Sequence, residues 1–133
     1  MAVLVDTSMW IDYFKEGHSS AGLDYLIDEN LVVTNDIILA ELIPFLLMKR
    51  QSNVIKRLHQ INKVTLQINW TELIESKVTC LKMGINGIGI PDLIIAQNAT
   101  ANGLSIYSLD KHFRLLSQVL DLELYDSPAG PPS

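Results

Sequence analysis

The sequence predicts an α/β domain in which helices cover both faces of a parallel sheet. Three observations carry the prediction. Short apolar runs alternate with stretches of helical spacing along the chain. Asp6 stands directly after the first of those runs and Asp110 after a two-residue turn beyond the fourth, where an open α/β sheet places its ligand crevice. The length, 133 residues with 48% apolar, suits one domain with a single core.

Taken in order, Ala2 to Val5 is a buried strand that runs into Asp6. Thr7 or Ser8 caps a helix carrying Trp10, Ile11 and Phe14 at helical spacing. A helix over Ala21 to Asp28 turns Leu23, Leu26 and Ile27 inward, and Leu31 to Thr34 is the second strand. Asn35 or Asp36 caps a long apolar helix that reaches about Arg50 and is eased at Pro44. Gln51 to Asn62 is a further helix, and Val64 to Ile68 alternates as a strand. Trp70 to Ile85 repeats Ile74, Val78, Leu81 and Ile85 at helical spacing. The glycine-rich turn from Gly84 leads to Pro91, Asp92 and a helix over Leu93 to Ala101, stopped by Asn102-Gly103. Leu104 to Tyr107 is a strand, Asp110 opens a helix with Phe113, Leu115 and Leu116, and Leu122 to Tyr125 is a last short strand. Residues 1–126 thus form the domain, and residues 127–133, with three prolines, form a flexible tail.

Composition excludes several classes. No apolar stretch reaches the ~18–20 residues that span a bilayer. The longest candidate, Ile37 to Met48, is broken by Glu41 and Pro44, and its surplus of apolar surface suggests an interface. No basic segment precedes an apolar run at the start, so the sequence predicts no signal peptide and a cytoplasmic location. Cys80 is the only cysteine, which excludes an internal disulfide, and it reads as a small buried hydrophobe. A net charge of −5 at first sight opposes nucleic-acid binding. A nuclease that holds a divalent cation, however, spends carboxylates on it. Setting four such acids aside leaves the balance near neutral.

Those four are Asp6, Glu41, Asp92 and Asp110. Asp6 and Asp110 follow strands, and Asp92 starts a helix after the glycine-rich loop. Each aspartate has a plainer role as a helix cap or dipole partner. Glu41 is harder to dismiss. Its helical neighbours are Ile37, Ile38, Pro44 and Phe45, and no cation stands at those spacings. A lone carboxylate there wants a cation or hydrogen-bond donors. Gathered carboxylates repel one another, and a divalent cation relieves that repulsion. Mg²⁺ and Mn²⁺ prefer oxygen ligands. Either would activate water and shield phosphate charge, as cutting a phosphodiester requires.

Val3-Leu-Val-Asp6-Thr-Ser8, Leu39-Ala-Glu41-Leu, Ile90-Pro-Asp92-Leu-Ile-Ile-Ala96 and Ser108-Leu-Asp110-Lys-His-Phe113 resemble the ordered motifs of PIN-domain proteins. The short single-domain form is similar to VapC-type toxins of toxin–antitoxin pairs. The resemblance implies a three-layer α/β/α domain, its parallel sheet sandwiched by helices, with an acidic pocket. It implies a ribonuclease that hydrolyses RNA phosphodiester bonds with metal-activated water, using Mg²⁺ or Mn²⁺. Asp6 and Asp92 would be the surest metal ligands, and Asp110 would complete the metal site. Glu41 would bind metal through water or position the attacking water, while Ser8 and Ser108 would orient carboxylates or water. Ser108 stands where many relatives have Thr. A homodimer and a small antitoxin partner are further implications.

From Lys49 to Thr71 there is no acid, and Lys49, Arg50, Lys56, Arg57 and Lys63 supply half of the ten Lys and Arg. Lys49, Arg50, Lys56 and Arg57 are the candidate RNA-binding residues. The plainer reading is a solvated helix face, with an antitoxin or dimer contact as a further alternative. His18, His59 and His112 have no metal-ligand spacing and are expected to be surface or structural residues. His112 is notable only for lying two residues after Asp110. Trp10, Phe14 and Phe45 read as core or dimer residues. Two other functional classes compete. A phosphotransfer protein would want a second acid two residues after Asp6, where Ser8 stands, or the paired acids of a receiver domain. A non-catalytic PIN-type binding domain would commonly have lost site acids, and all four are here.

Overall fold

The computed structural model describes residues 2–17 and 20–126. The predicted tail, residues 127–133, and His18 lie outside the described residues. Four parallel strands form the sheet: β1 (Val3–Val5), β2 (Val32–Thr34), β3 (Asn62–Lys63) and β4 (Ser105–Tyr107), in the order β3-β2-β1-β4. Seven helices among the described residues flank it. They are α1 (Thr7–Phe14), α2 (Leu23–Asp28), α3 (Asp36–Met48), α4 (Ser52–Leu58), α5 (Trp70–Lys82), α6 (Ile90–Ala101) and α7 (Lys111–Val119).

β1 is central because every one of its side chains is apolar and both its edges are paired. Val3, Leu4 and Val5 are fully buried and align with Ser105, Ile106 and Tyr107 of β4, while Val3 and Leu4 align with Val32 and Val33 of β2. A strand hydrophobic on successive residues is what a sheet covered on both faces requires. Burying each such side chain contributes about 1.5–3 kcal/mol. Ile38, Leu42 and Leu46 of α3, Leu93, Ile95 and Ala99 of α6, and Phe113 and Leu116 of α7 join it in one core. Cys80 is fully buried there, as its apolar setting predicts.

α3 begins at Asn35, whose side chain accepts a hydrogen bond from the Ile38 amide at 2.9 Å. Its amide nitrogen donates to the Asn98 side-chain oxygen at 2.9 Å, and the Asn98 amide in turn donates to the Thr65 carbonyl at 3.1 Å. This buried relay locks α3 to α6. It matters because α3 carries Glu41 and α6 carries Asp92. Pro44 sits inside α3 without ending it. The helix stops at Met48, and Arg50 takes a left-handed φ of 55° just beyond it.

Several expected boundaries move. The predicted strand Val64 to Ile68 is not one: pairing with β2 occurs at Asn62 and Lys63, and a last rung runs from the Val64 amide to the Thr34 carbonyl. The segment beyond is extended and lies along the core margin, with Val64, Leu66 and Ile68 partly buried and Thr65 and Gln67 exposed. Its period of two reflects that one-sided burial, not a ladder. The helix expected to run to Asn62 ends at Leu58, and α2 starts at Leu23 instead of Ala21. α6 begins earlier than expected, at Ile90, since Pro91 is tolerated in a first turn whose amides need no partner. The last strand, Leu122 to Tyr125, shrinks to one parallel bridge between Leu124 and Ile106. The largest apolar surplus sits on α5, not α3: Trp70, Ile74, Val78 and Leu81 form an exposed row. Trp10 is core, and Phe14 and Phe45 pack partly buried against it.

Candidate metal centre

Neighbouring parallel strands release their following turns side by side. β1 and β4 are such neighbours, so the turns holding Asp6 and Ser108 meet. Asp6 occupies the cap position of α1 yet makes no side-chain cap bond, which corrects the expectation of a Thr7 or Ser8 cap. Its Oδ2 instead accepts hydrogen bonds from Ser8 Oγ at 3.0 Å and Ser108 Oγ at 2.8 Å. The two hydroxyls lie 3.1 Å apart. The Leu109 and Asp110 amides donate to them at 3.0 and 2.9 Å respectively. Ser8 and Ser108 therefore join the β1–α1 and β4–α7 junctions and fix a nearly buried carboxylate.

Asp110 is the cap of α7, with Oδ1 accepting from the His112 amide at 2.9 Å. The plain capping role is thus real, and the side chain still faces the other acids. Asp92, in the first turn of α6, places Oδ2 3.1 Å from His112 Nδ1. The same Nδ1 is 3.5 Å from Asp110 Oδ1. One oxygen from each of these acids and a His112 ring nitrogen all lie within 4.8 Å of one another. His112 joins this cluster, although the expectation was a surface or structural histidine. The signal was the Asp-x-His spacing, which returns the ring to the cap carboxylate.

Glu41 stands on the exposed side of α3, beside the partly buried Ile37 and Phe45 and the exposed Pro44. Ile38, Leu39 and Leu42 turn the other way, into the core. Its Oε1 accepts from Thr7 Oγ1 at 3.0 Å, which ties it to the turn after Asp6.

Electrostatics unite the four. Partial desolvation pushes the Glu41 carboxyl above its ordinary range; the Thr7 hydrogen bond opposes this, and the charges of Asp6, Asp92 and Asp110 add to it. Desolvation likewise pushes Asp92 up, opposed by His112 and reinforced by Asp110 and Asp6. Among the described residues, no Lys or Arg pairs with any of these acids. The repulsion therefore goes uncompensated by protein cations, apart from His112 when protonated. This donor set, mostly carboxylate oxygens on a part-buried surface, suits a divalent cation.

The candidate RNA-binding residues stand just after α3 and within α4. Lys49, Arg50, Lys56 and Arg57 are all exposed. Lys49 shares the Phe45 ring with Lys15, each near 6 Å from its centroid (6.0 and 5.9 Å). Lys49, just past the end of α3, stands eight positions after Glu41, an axial rise of about 12 Å. Arg57 borders a groove of about 380 Å³ lined by Trp10, Tyr13 and Phe14. Lys63 pairs with Asp36 at 3.0 Å, and His59 is exposed.

Known structures share this architecture. The chain is similar to VapBC2 from Rickettsia felis bound to a DNA fragment from its promoter, with TM-score 0.73 and 21% identity over 94% of this chain and 98% of that one. DNA-bound VapBC from Salmonella typhimurium gives TM-score 0.73 and 17% identity over 95% and 98%. A toxin–antitoxin complex from Klebsiella pneumoniae gives TM-score 0.62 and 17% identity over 83% and 88%. At these identities the likeness is one of fold. No curated protein matches the chain significantly. The family model described as PIN domain matches residues 3–118, a span that holds all four acids and both bridging serines, and the chain accordingly belongs to the PIN-domain family.

Proposed function

We propose that this protein is a metal-dependent RNA endonuclease acting in the cytoplasm as the toxin of a toxin–antitoxin pair. The observation that carries the reading is the convergence of Asp6, Glu41, Asp92 and Asp110 on one surface, where among the described residues no Lys or Arg forms an ion pair with them. Membership of the PIN family, whose domains are generally nucleases, supports it, as does similarity to VapBC and toxin–antitoxin complexes. No helix among the described residues is long and apolar enough to cross a membrane.

Asp92 and Asp110 would hold Mg²⁺ or Mn²⁺, with Asp6 contributing beside them. When bound, the cation supplies charge neutralisation for the phosphate and lowers the pKa of water. Ser8 and Ser108 hold the Asp6 carboxylate in one orientation. Thr7 fixes one oxygen of Glu41, which leaves Oε2 to orient a water toward phosphorus. The raised Glu41 pKa suits a group that takes up a proton during the reaction. The phosphotransfer alternative lacks its second acid, since the Ser8 hydroxyl is engaged with Asp6. Purified protein is expected to cut RNA with Mg²⁺ or Mn²⁺ and to stop in excess chelator. Undiminished cutting in chelator would overturn the metal role. Expression in cells is expected to arrest growth, and unimpaired growth would remove the toxin role.

A homodimer through α5 belongs to the same reading. Trp70, Ile74, Val78 and Leu81 form its exposed stripe. Glu72 and Glu75 lie in its first half and Lys82 at its end, so a second copy laid antiparallel sets acids against a base. The wild-type protein is expected to sediment as a dimer and Ile74→Glu as a monomer. A monomeric wild type would remove the proposal.

A further inference from the structure

Resting on the metal-site reading above, we propose that His112 Nδ1 is a direct ligand of the cation, beside Asp92 and Asp110, and biases the site toward Mn²⁺ over Mg²⁺.

The geometry carries this. In octahedral coordination with bonds of about 2.1–2.2 Å, adjacent ligand atoms stand roughly 3 Å apart. His112 Nδ1 stands 3.1 Å from Asp92 Oδ2 and 3.5 Å from Asp110 Oδ1. A single ring N–H satisfies one carboxylate well and cannot serve both; a cation seated among the three atoms serves all of them. The ring is also placed for the task. Asp110 accepts the His112 amide at 2.9 Å, which anchors the residue at the start of α7. The other ring nitrogen, Nε2, faces the loop at Gly87, where an added Cβ would lie 4.0 Å from it. Gly87 has a φ of +85°, so the loop passes the ring without a side chain. Nδ1 is thereby directed at the carboxylates. Mg²⁺ favours an all-oxygen shell and keeps its waters, whereas first-row ions accept imidazole nitrogen. Replacing one oxygen position by nitrogen therefore favours Mn²⁺.

The test is electron spin-echo spectroscopy of the full chain loaded with Mn²⁺ in nitrogen-free buffer, with calorimetric titration of Mn²⁺ and Mg²⁺. Wild type is expected to show ¹⁴N modulation, and His112→Gln, which keeps a side chain able to bond to Asp92, is expected to lose it. His112→Gln should weaken Mn²⁺ binding by roughly 10-fold or more and Mg²⁺ binding by less than about 3-fold. Wild type that binds Mn²⁺ without ¹⁴N modulation overturns the ligand role and leaves the carboxylate site intact. Equal weakening for both ions overturns the selectivity and assigns His112 to carboxylate orientation. Wild type that binds no Mn²⁺ overturns this proposal and the metal-site reading together. The wild-type spectrum decides even where the variant does not fold.

Discussion

Asp92→Asn is expected to lower RNA cleavage by at least about 10³-fold without lowering thermal stability. The substitution keeps the size of the side chain and an acceptor oxygen for His112, and removes the charge that would hold the cation. Metal stabilisation of a phosphodiester transition state is worth several kcal/mol, and each 1.36 kcal/mol is tenfold in rate. Stability should move the other way. The folded Asp92 pKa is raised by desolvation and by the charges of Asp110 and Asp6. Such a group binds its proton more tightly folded than unfolded. Its stabilising contribution is present below the ordinary carboxylate range and is lost as pH rises through the raised value. At pH 7 the metal-free wild type carries that deficit, and a neutral Asn does not. Melting in chelator at pH 7 is expected to place Asp92→Asn at or slightly above wild type. A variant that loses activity and also melts several degrees lower would show that Asp92 serves the fold.

The second large effect belongs to Asn35. Its side chain caps α3 and reaches Asn98 in α6, and both residues are buried. Asn35→Ala removes a cap, at about 0.5–2 kcal/mol. It also strands the Asn98 oxygen in the interior, at about 1–3 kcal/mol. The expected loss is about 2–4 kcal/mol in urea unfolding, together with reduced activity, since the helices bearing Glu41 and Asp92 lose their link. Asn35→Ser keeps a capping oxygen and is too short to reach Asn98, so it should fall between Ala and wild type. Equal losses for Ser and Ala would show that the relay to Asn98, not the cap, holds the helices. A change below about 0.5 kcal/mol for Ala would show that neither does.

Fold class was legible because it rests on patterning. The continuous apolar runs Val3–Val5 and Val32–Thr34, the long apolar stretch of α3 and the helical repeat of α5 each have one reading. Boundaries failed where a period had two causes. Val64 to Ile68 alternates because one side of an extended segment covers the core, and nothing local says that its partner rung ends at Val64. The three aspartates could be singled out because they stand at strand ends and helix starts. Glu41 was singled out for its apolar neighbours; the structure buries Ile38 in the core, leaves Ile37, Pro44 and Phe45 partly or fully exposed beside it, and gives the carboxylate Thr7 as its donor and the other carboxylates as its charged surroundings. His112 stood out only for its closeness to Asp110, because its partner Asp92 is twenty positions away, a distance only tertiary folding closes. Ser8 and Ser108 were set beside the carboxylates by the resemblance alone, and their contact across one hundred positions was not legible. Contacts of this range leave no periodic trace.

If Asp6, Glu41, Asp92 and Asp110 form one cation site, an anomalous difference map from crystals grown with Mn²⁺ will show a peak at bonding distance, about 2.1–2.2 Å, from oxygens of Asp92 and Asp110, with Asp6 and Glu41 around it. Crystals saturated with Mn²⁺ that show no peak among these side chains would contradict a shared cation site.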